Sequence, residues 1–66
     1  MYNWNLAKAI ERSGLKKRVI ARRIGVHPSV LSKYISGDYK CPTDRKRSIA
    51  KILNVRIKEL FGGNDV

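Results

Sequence analysis

The sequence predicts an all-α protein, a compact five-helix bundle. Apolar residues recur at intervals of three and four, as at Leu6, Ala9 and Ile10, which is the spacing of one helix face. Glycine follows each of the first three apolar faces, and the sequence shows neither strand alternation nor an internal repeat. The 66 residues suffice for one small core, and the single cysteine cannot form a disulfide within the chain. We therefore expect one domain over residues 1–66, stabilised by helix packing.

The first two predicted helices are separated by a short turn. Asn3 or Asn5 can cap the first helix, which is predicted over about residues 3–13. The second helix is predicted over about residues 17–24. It ends before Gly25, because glycine readily adopts the left-handed conformation that follows a helix.

The third helix is predicted over about residues 28–36 and begins at His27-Pro28. Proline fits the first helical position because its missing amide hydrogen would have no partner there. It also restricts His27 to the extended conformation of a cap residue. Tyr34 shares an apolar face with Leu31, so we expect its ring to lie in the core.

Two further helices are predicted after a loop. Thr43 is expected to cap a helix over about residues 44–53. Asp44 lies in its first turn, where a negative charge complements the helix dipole. A short fifth helix is predicted over about residues 56–61 and ends at Gly62-Gly63.

Positive charge dominates the composition. Fifteen lysines and arginines against five acids give a net charge of +10. Such a charge density favours a polyanionic partner. Nucleic acid, an acidic membrane surface and an acidic protein all fit, and composition alone does not distinguish them.

Residues that support other chemistries are few. His27 and Cys41 are too few ligands for a zinc site. Nothing in the sequence resembles the set of nucleophile, base and orienting residue that an enzyme active site needs. We therefore expect no enzyme activity, no metal, no cofactor and no small-molecule ligand. No apolar stretch approaches the roughly 20 residues that span a bilayer, and the apolar face beside the basic segment 16–23 is too small for membrane association. The expected location is cytoplasmic.

The second and third helices fit a helix-turn-helix. Only Gly25-Val26-His27 connects them, so the helices must cross steeply, and the small Ala21 allows a close crossing. Residues 17–35 resemble the helix-turn-helix of the Cro/C1 repressor family, also called the Xre family, and the similarity extends over about residues 5–61. The matching apolar and small positions are Ile20, Ala21, Ile24, Gly25, Val26, Leu31 and Tyr34. The resemblance implies a lambda-repressor-like DNA-binding fold of the single-domain Cro type.

The resemblance also implies a DNA interface in which the third helix enters the major groove. The base-reading residues would be Pro28, Ser29, Ser32 and Lys33. Lysine can donate to guanine, serine can pair with several bases, and proline can contact a thymine methyl group. The phosphate contacts would be Lys17, Arg18, Arg22, His27, Ser36, Tyr39 and Lys40. Arg45 and Lys46 either reach the flanking DNA backbone or belong to a solvated helix face.

The function implied by this resemblance is that of a sequence-specific regulator of transcription. It would be a Cro-like phage or mobile-element repressor that occupies its operator as a homodimer, in a bacterial or phage-infected cell and associated with the nucleoid. Ile57, Leu60 and Phe61 are possible dimer contacts, and Tyr2 and Trp4 are expected to cover an edge of the core. A small protein-interaction module with the same fold, such as an antitoxin or anti-repressor, is the alternative.

Overall fold

The computed structural model describes residues 2–62, which form five helices, and the predicted all-α fold is confirmed. The helices are α1 (Trp4–Ser13), α2 (Lys17–Ile24), α3 (Pro28–Ser36), α4 (Thr43–Leu53) and α5 (Ile57–Phe61). Gly63, predicted to follow the last helix, lies outside the described residues. None of the helices within 2–62 has the length and apolar character that crossing a membrane requires.

One hydrophobic core joins the five helices. Leu6, Ile20, Leu31, Ile49 and Leu60 come from α1 to α5 in order, and each is fully or almost fully buried. The helix α2 packs against α3 and α4, while α1 packs against α3, α4 and α5. This arrangement holds α3 by its apolar side and leaves its polar side in solvent.

The helix starts agree only in part with the predictions. Asn3 caps α1, because its side-chain oxygen accepts the amide hydrogen of Leu6 at 3.0 Å. The prediction that Thr43 caps α4 is wrong. Pro42 is the cap residue, since its carbonyl already accepts the amide hydrogen of Lys46 at 2.9 Å, so Thr43 is the first helical residue.

The aromatic side chains at the start of the chain lie in solvent. The prediction that they cover an edge of the core is wrong for Trp4, which is 66% exposed, and Tyr2 is exposed as well. Their ring centroids lie 4.4 Å apart. Trp4 precedes the buried Leu6 by two residues, which is a rotation of about 200° around the helix. The two side chains therefore lie on nearly opposite sides of α1.

The solvated-face interpretation of Lys46 is wrong. Its side chain is buried, and its Nζ atom lies 5.2 Å from the centroid of the Phe61 ring, within cation–π range. Lys46 precedes the buried Ile49 and Ala50 by three and four residues, so its aliphatic stem continues the apolar face of α4.

Arg45 links two helices instead of pointing into solvent. Its guanidinium Nη1 donates a hydrogen bond of 2.5 Å to the carbonyl oxygen of Ile24, the last residue of α2. The last carbonyl groups of a helix lack partners within the helix, and the helix dipole favours a cation there. Arg45 therefore fastens the end of α2 to α4.

Replacing Arg45 with alanine should lower the free energy of unfolding by about 1–3 kcal/mol, because the Ile24 carbonyl loses a charge-assisted partner. Chemical denaturation measures this loss. Arg47→Ala is the matched control, since Arg47 lies on the same helix with an exposed side chain. Equal stabilities of the two variants would contradict the structural role of Arg45.

The thiol of Cys41 is unreactive at neutral pH. Burial raises the pKa of its thiol to about 11, although the charges of Lys46 and Arg45 act in the opposite direction. The thiol is therefore protonated and a poor nucleophile or metal ligand. Residues 2–62 also hold no group of three or more His, Cys, Asp or Glu side chains suited to binding a metal ion.

Candidate nucleic-acid interface

The turn between α2 and α3 has the geometry that a helix-turn-helix requires. Gly25 adopts φ 78° and ψ 29°, the left-handed conformation. The amide of Val26 donates to the carbonyl of Ala21 at 2.9 Å, so the chain turns sharply within three residues. Ala21 is fully buried, as a close crossing of α2 and α3 requires.

His27 caps α3 with its imidazole ring. The ring Nδ1 atom accepts the amide hydrogen of Ser29 at 3.1 Å, and the Ser29 hydroxyl oxygen lies 2.8 Å from the same nitrogen. With Nδ1 as the acceptor of the Ser29 amide, the ring hydrogen is on Nε2, and the serine hydroxyl can share Nδ1 as a second donor. The Ser29 oxygen therefore keeps its lone pairs for another partner.

The predicted base-reading residues lie mostly on the outer face of α3. Ser29, Ser32 and Lys33 are exposed, and Pro28 is half-buried at the start of the helix. The opposite face is buried in the core and consists of Leu31, Tyr34 and Ile35. The exposed face thus carries two hydroxyl groups and one ammonium group, which are all able to form hydrogen bonds with base edges.

A cluster of polar contacts follows at the end of α3. The Nζ atom of Lys33 lies 3.9 Å from the Oδ2 atom of Asp38 and 5.9 Å from the centroid of the Tyr39 ring. The Ser36 hydroxyl lies 3.1 Å from the carbonyl oxygen of Lys33 and 3.0 Å from the Asp38 carboxylate. Asp38 is not among the site residues predicted from the sequence, although it is the only acid between Glu11 and Asp44.

The predicted phosphate-contacting residues lie on α2 and on the loop after α3. Lys17, Arg18, Arg22, Tyr39 and Lys40 are exposed. Ser36, by contrast, is half-buried, and its hydroxyl is engaged with neighbouring groups. No side chain caps the start of α2, so its first amide groups are available to an anion.

The residues considered for dimer contact differ in exposure. Leu60 is 1% exposed and belongs to the core, so it offers almost no surface to a partner. Ile57 and Phe61 are half-buried. Phe61 lines a surface cleft together with Tyr2 and Trp4, and we call these three side chains the aromatic patch. The other described residues that line the cleft are Asn3, Asn5, Leu60 and Gly62, so within residues 2–62 no Lys, Arg, Asp or Glu lines it.

A buried apolar side on α3, a sharp turn from α2 and a basic surface define a helix-turn-helix DNA-binding protein. The helix-turn-helix family model matches residues 6–60. The chain therefore belongs to the Cro/C1-type helix-turn-helix family, a family of DNA-binding transcription regulators. Neither the curated proteins nor the solved structures contain a significant match to it.

Proposed function

We propose that this protein is a sequence-specific repressor that binds double-stranded DNA with α3 in the major groove. It acts as Cro-like repressors do, by occupying an operator as a homodimer and excluding polymerase. The observation that carries the proposal is the exposed polar face of α3, formed by Ser29, Ser32 and Lys33. A face of hydrogen-bonding side chains on the second helix of a helix-turn-helix is what base readout requires.

The hydrogen bonds within α3 narrow the expected base preference. Lys33 has only donors and therefore pairs with O6 and N7 of guanine. When Ser29 donates its hydroxyl hydrogen to His27, its oxygen is left to accept a hydrogen from N4 of cytosine or N6 of adenine. Ser32 has no such restriction, and Pro28 can contact a thymine methyl group.

Backbone contacts supply most of the binding energy in this proposal. The exposed cations Lys17, Arg18, Arg22 and Lys40 neutralise phosphates on both sides of the groove. His27 adds a donor, because its Nε2 carries the ring hydrogen and its side chain is exposed. The hydroxyl of Tyr39 can donate to a further phosphate oxygen.

The aromatic patch supports a homodimer in which the two copies meet through Tyr2, Trp4 and Phe61. Two chains of net charge +10 repel each other over most of their surfaces. Among the described residues no ionised side chain lines the cleft, although the Lys46 ammonium lies 5.2 Å from the Phe61 ring centroid, so two copies meet less repulsion here than at the lysine- and arginine-rich surfaces. On DNA, the two recognition helices would lie about 34 Å apart, in successive major grooves.

The same patch favours a second candidate function, a protein-interaction module of the antitoxin or anti-repressor type. Exposed aromatic side chains are frequent at protein interfaces, and Trp4 is 66% exposed. In that case a different protein would cover the patch, and DNA binding would be secondary or lost.

Selection of bound duplexes from a random DNA pool at about 150 mM salt tests the proposed function. We expect an enriched palindrome with half-sites about one helical turn apart, each with a guanine contacted by Lys33. Binding without enrichment that vanishes as salt rises would show charge-driven contact only. The protein-interaction module would then be the better description.

Replacing Lys33 with alanine should weaken binding to the selected duplex by about 1–3 kcal/mol and remove the preference for guanine at one position. Titration of duplexes that carry each base pair at that position measures both effects. Lys51→Ala, an exposed lysine on α4, removes the same charge and should keep the preference. A retained guanine preference in Lys33→Ala would show that this lysine does not read the base.

A further inference from the structure

Asp38 is a carboxylate on the surface that is proposed to face DNA. Its Oδ2 atom lies 3.9 Å from Nζ of Lys33 and 3.0 Å from the hydroxyl oxygen of Ser36. No other acid occurs between Glu11 and Asp44, a segment that contains α2, α3 and the loop after them. An isolated acid in a basic segment, placed against the proposed base-reading lysine, calls for a physical explanation.

The ion pair of Asp38 with Lys33 contributes little to the stability of the fold. The Lys33 and Asp38 side chains are 49% and 63% exposed, and exposed ion pairs of this kind contribute little to stability. Asp38 also follows the last residue of α3 by two positions, where the helix dipole disfavours negative charge. Close to DNA, the same charge is repelled by the phosphates.

The position of the carboxylate limits where the lysine can go. A free lysine side chain has four rotatable bonds and pairs readily with the nearest phosphate. The Asp38 carboxylate at 3.9 Å and the Tyr39 ring at 5.9 Å both attract the ammonium, so they favour its position beside the outer face of α3. At 3.9 Å the ammonium and the carboxylate form an ion pair without a hydrogen bond, so all three N–H groups of the ammonium stay available to a guanine.

We propose that Asp38 is a specificity-determining positioning residue that acts through Lys33. The carboxylate holds the lysine ammonium for base readout, and it repels the DNA backbone where the lysine finds no guanine. Asp38 thereby weakens binding to non-cognate DNA more than binding to the operator. This inference rests on the proposed function, in which α3 reads base edges.

Asp38→Asn tests the inference, and Glu11→Gln is its matched control. Both changes remove one exposed carboxylate and raise the net charge by one, but only the first releases Lys33. We expect Asp38→Asn to tighten binding to random duplex and to steepen the salt dependence by about one unit of slope. The ratio of affinities for guanine and non-guanine duplexes should fall about twofold to fivefold, as the loss of an exposed ion pair allows. Glu11→Gln should leave that ratio unchanged.

A double variant separates positioning from a merely structural role. If Asp38 acts through Lys33, Asp38→Asn should not lower the guanine preference further in a Lys33→Ala background. An unchanged preference in the single Asp38→Asn variant, or an equal loss in both backgrounds, would overturn the inference. Wild-type protein without any base preference would instead overturn the proposed function, and the inference with it.

Discussion

Leu31→Ala should leave most of the protein unfolded at physiological temperature. Leu31 is fully buried on the inner face of α3, where it belongs to the core shared by all five helices. A buried Leu→Ala change costs about 2–5 kcal/mol, because contacts are lost and a cavity remains. A single core of this size supplies only about 3–5 kcal/mol of net stability, so the loss is comparable with the whole.

Denaturant unfolding followed by far-ultraviolet circular dichroism measures this effect. Ser32→Ala is the matched control, since it changes the exposed neighbour on α3 and should move the midpoint little. Operator DNA should restore part of the folded population of Leu31→Ala, because DNA binds only the folded chain. A wild-type midpoint for Leu31→Ala would contradict the packing of α3 on the core.

The positions of the helices and most of the core follow from local sequence. Apolar spacing placed Leu31 and Tyr34 on the inner face of α3, and both are buried. The sequence Gly25-Val26-His27 predicted the sharp turn, because only a few residues permit a left-handed conformation followed by a cap. These features depend on neighbours in the chain, so a single sequence suffices to predict them.

The contacts of long side chains cannot be predicted from local sequence in the same way. Arg45 and Lys46 were interpreted from their charge, but the first reaches a carbonyl of α2 and the second places its stem in the core. Trp4 was interpreted from its apolar character, yet its direction from α1 turns it to solvent. For Arg45 and Lys46 the outcome depends on which residue another helix brings near, whereas for Trp4 it follows from the position of Trp4 on α1.

The candidate site likewise has one part that the sequence predicts and one part that it does not. Helical periodicity grouped Ser29, Ser32 and Lys33 on one face of α3, and the structure leaves all three exposed. Periodicity could not predict the contact between Lys33 and Asp38, because it depends on how the chain folds back after α3. An isolated acid within a basic segment was the one available signal.

Binding of DNA should depend steeply on salt. If about five phosphates are neutralised by each subunit, log K should fall with log salt at a slope of roughly −4 to −5 per subunit. Raising the salt from about 50 mM to about 200 mM would then weaken binding by about 500-fold per subunit. Fluorescence anisotropy of a labelled duplex over a salt series measures this slope.

Lys17→Ala should make that slope shallower by about one and weaken cognate and random duplexes equally. Lys17 is exposed in the first turn of α2, where no side chain caps the amide groups, so its charge and those amides would bind the same phosphate. Lys51→Ala removes an equal charge from α4 and should keep the wild-type slope. Equal slopes for the two variants would mean that the salt dependence of binding reflects only the net charge of the protein. Lys17 would then not contact a phosphate at the interface.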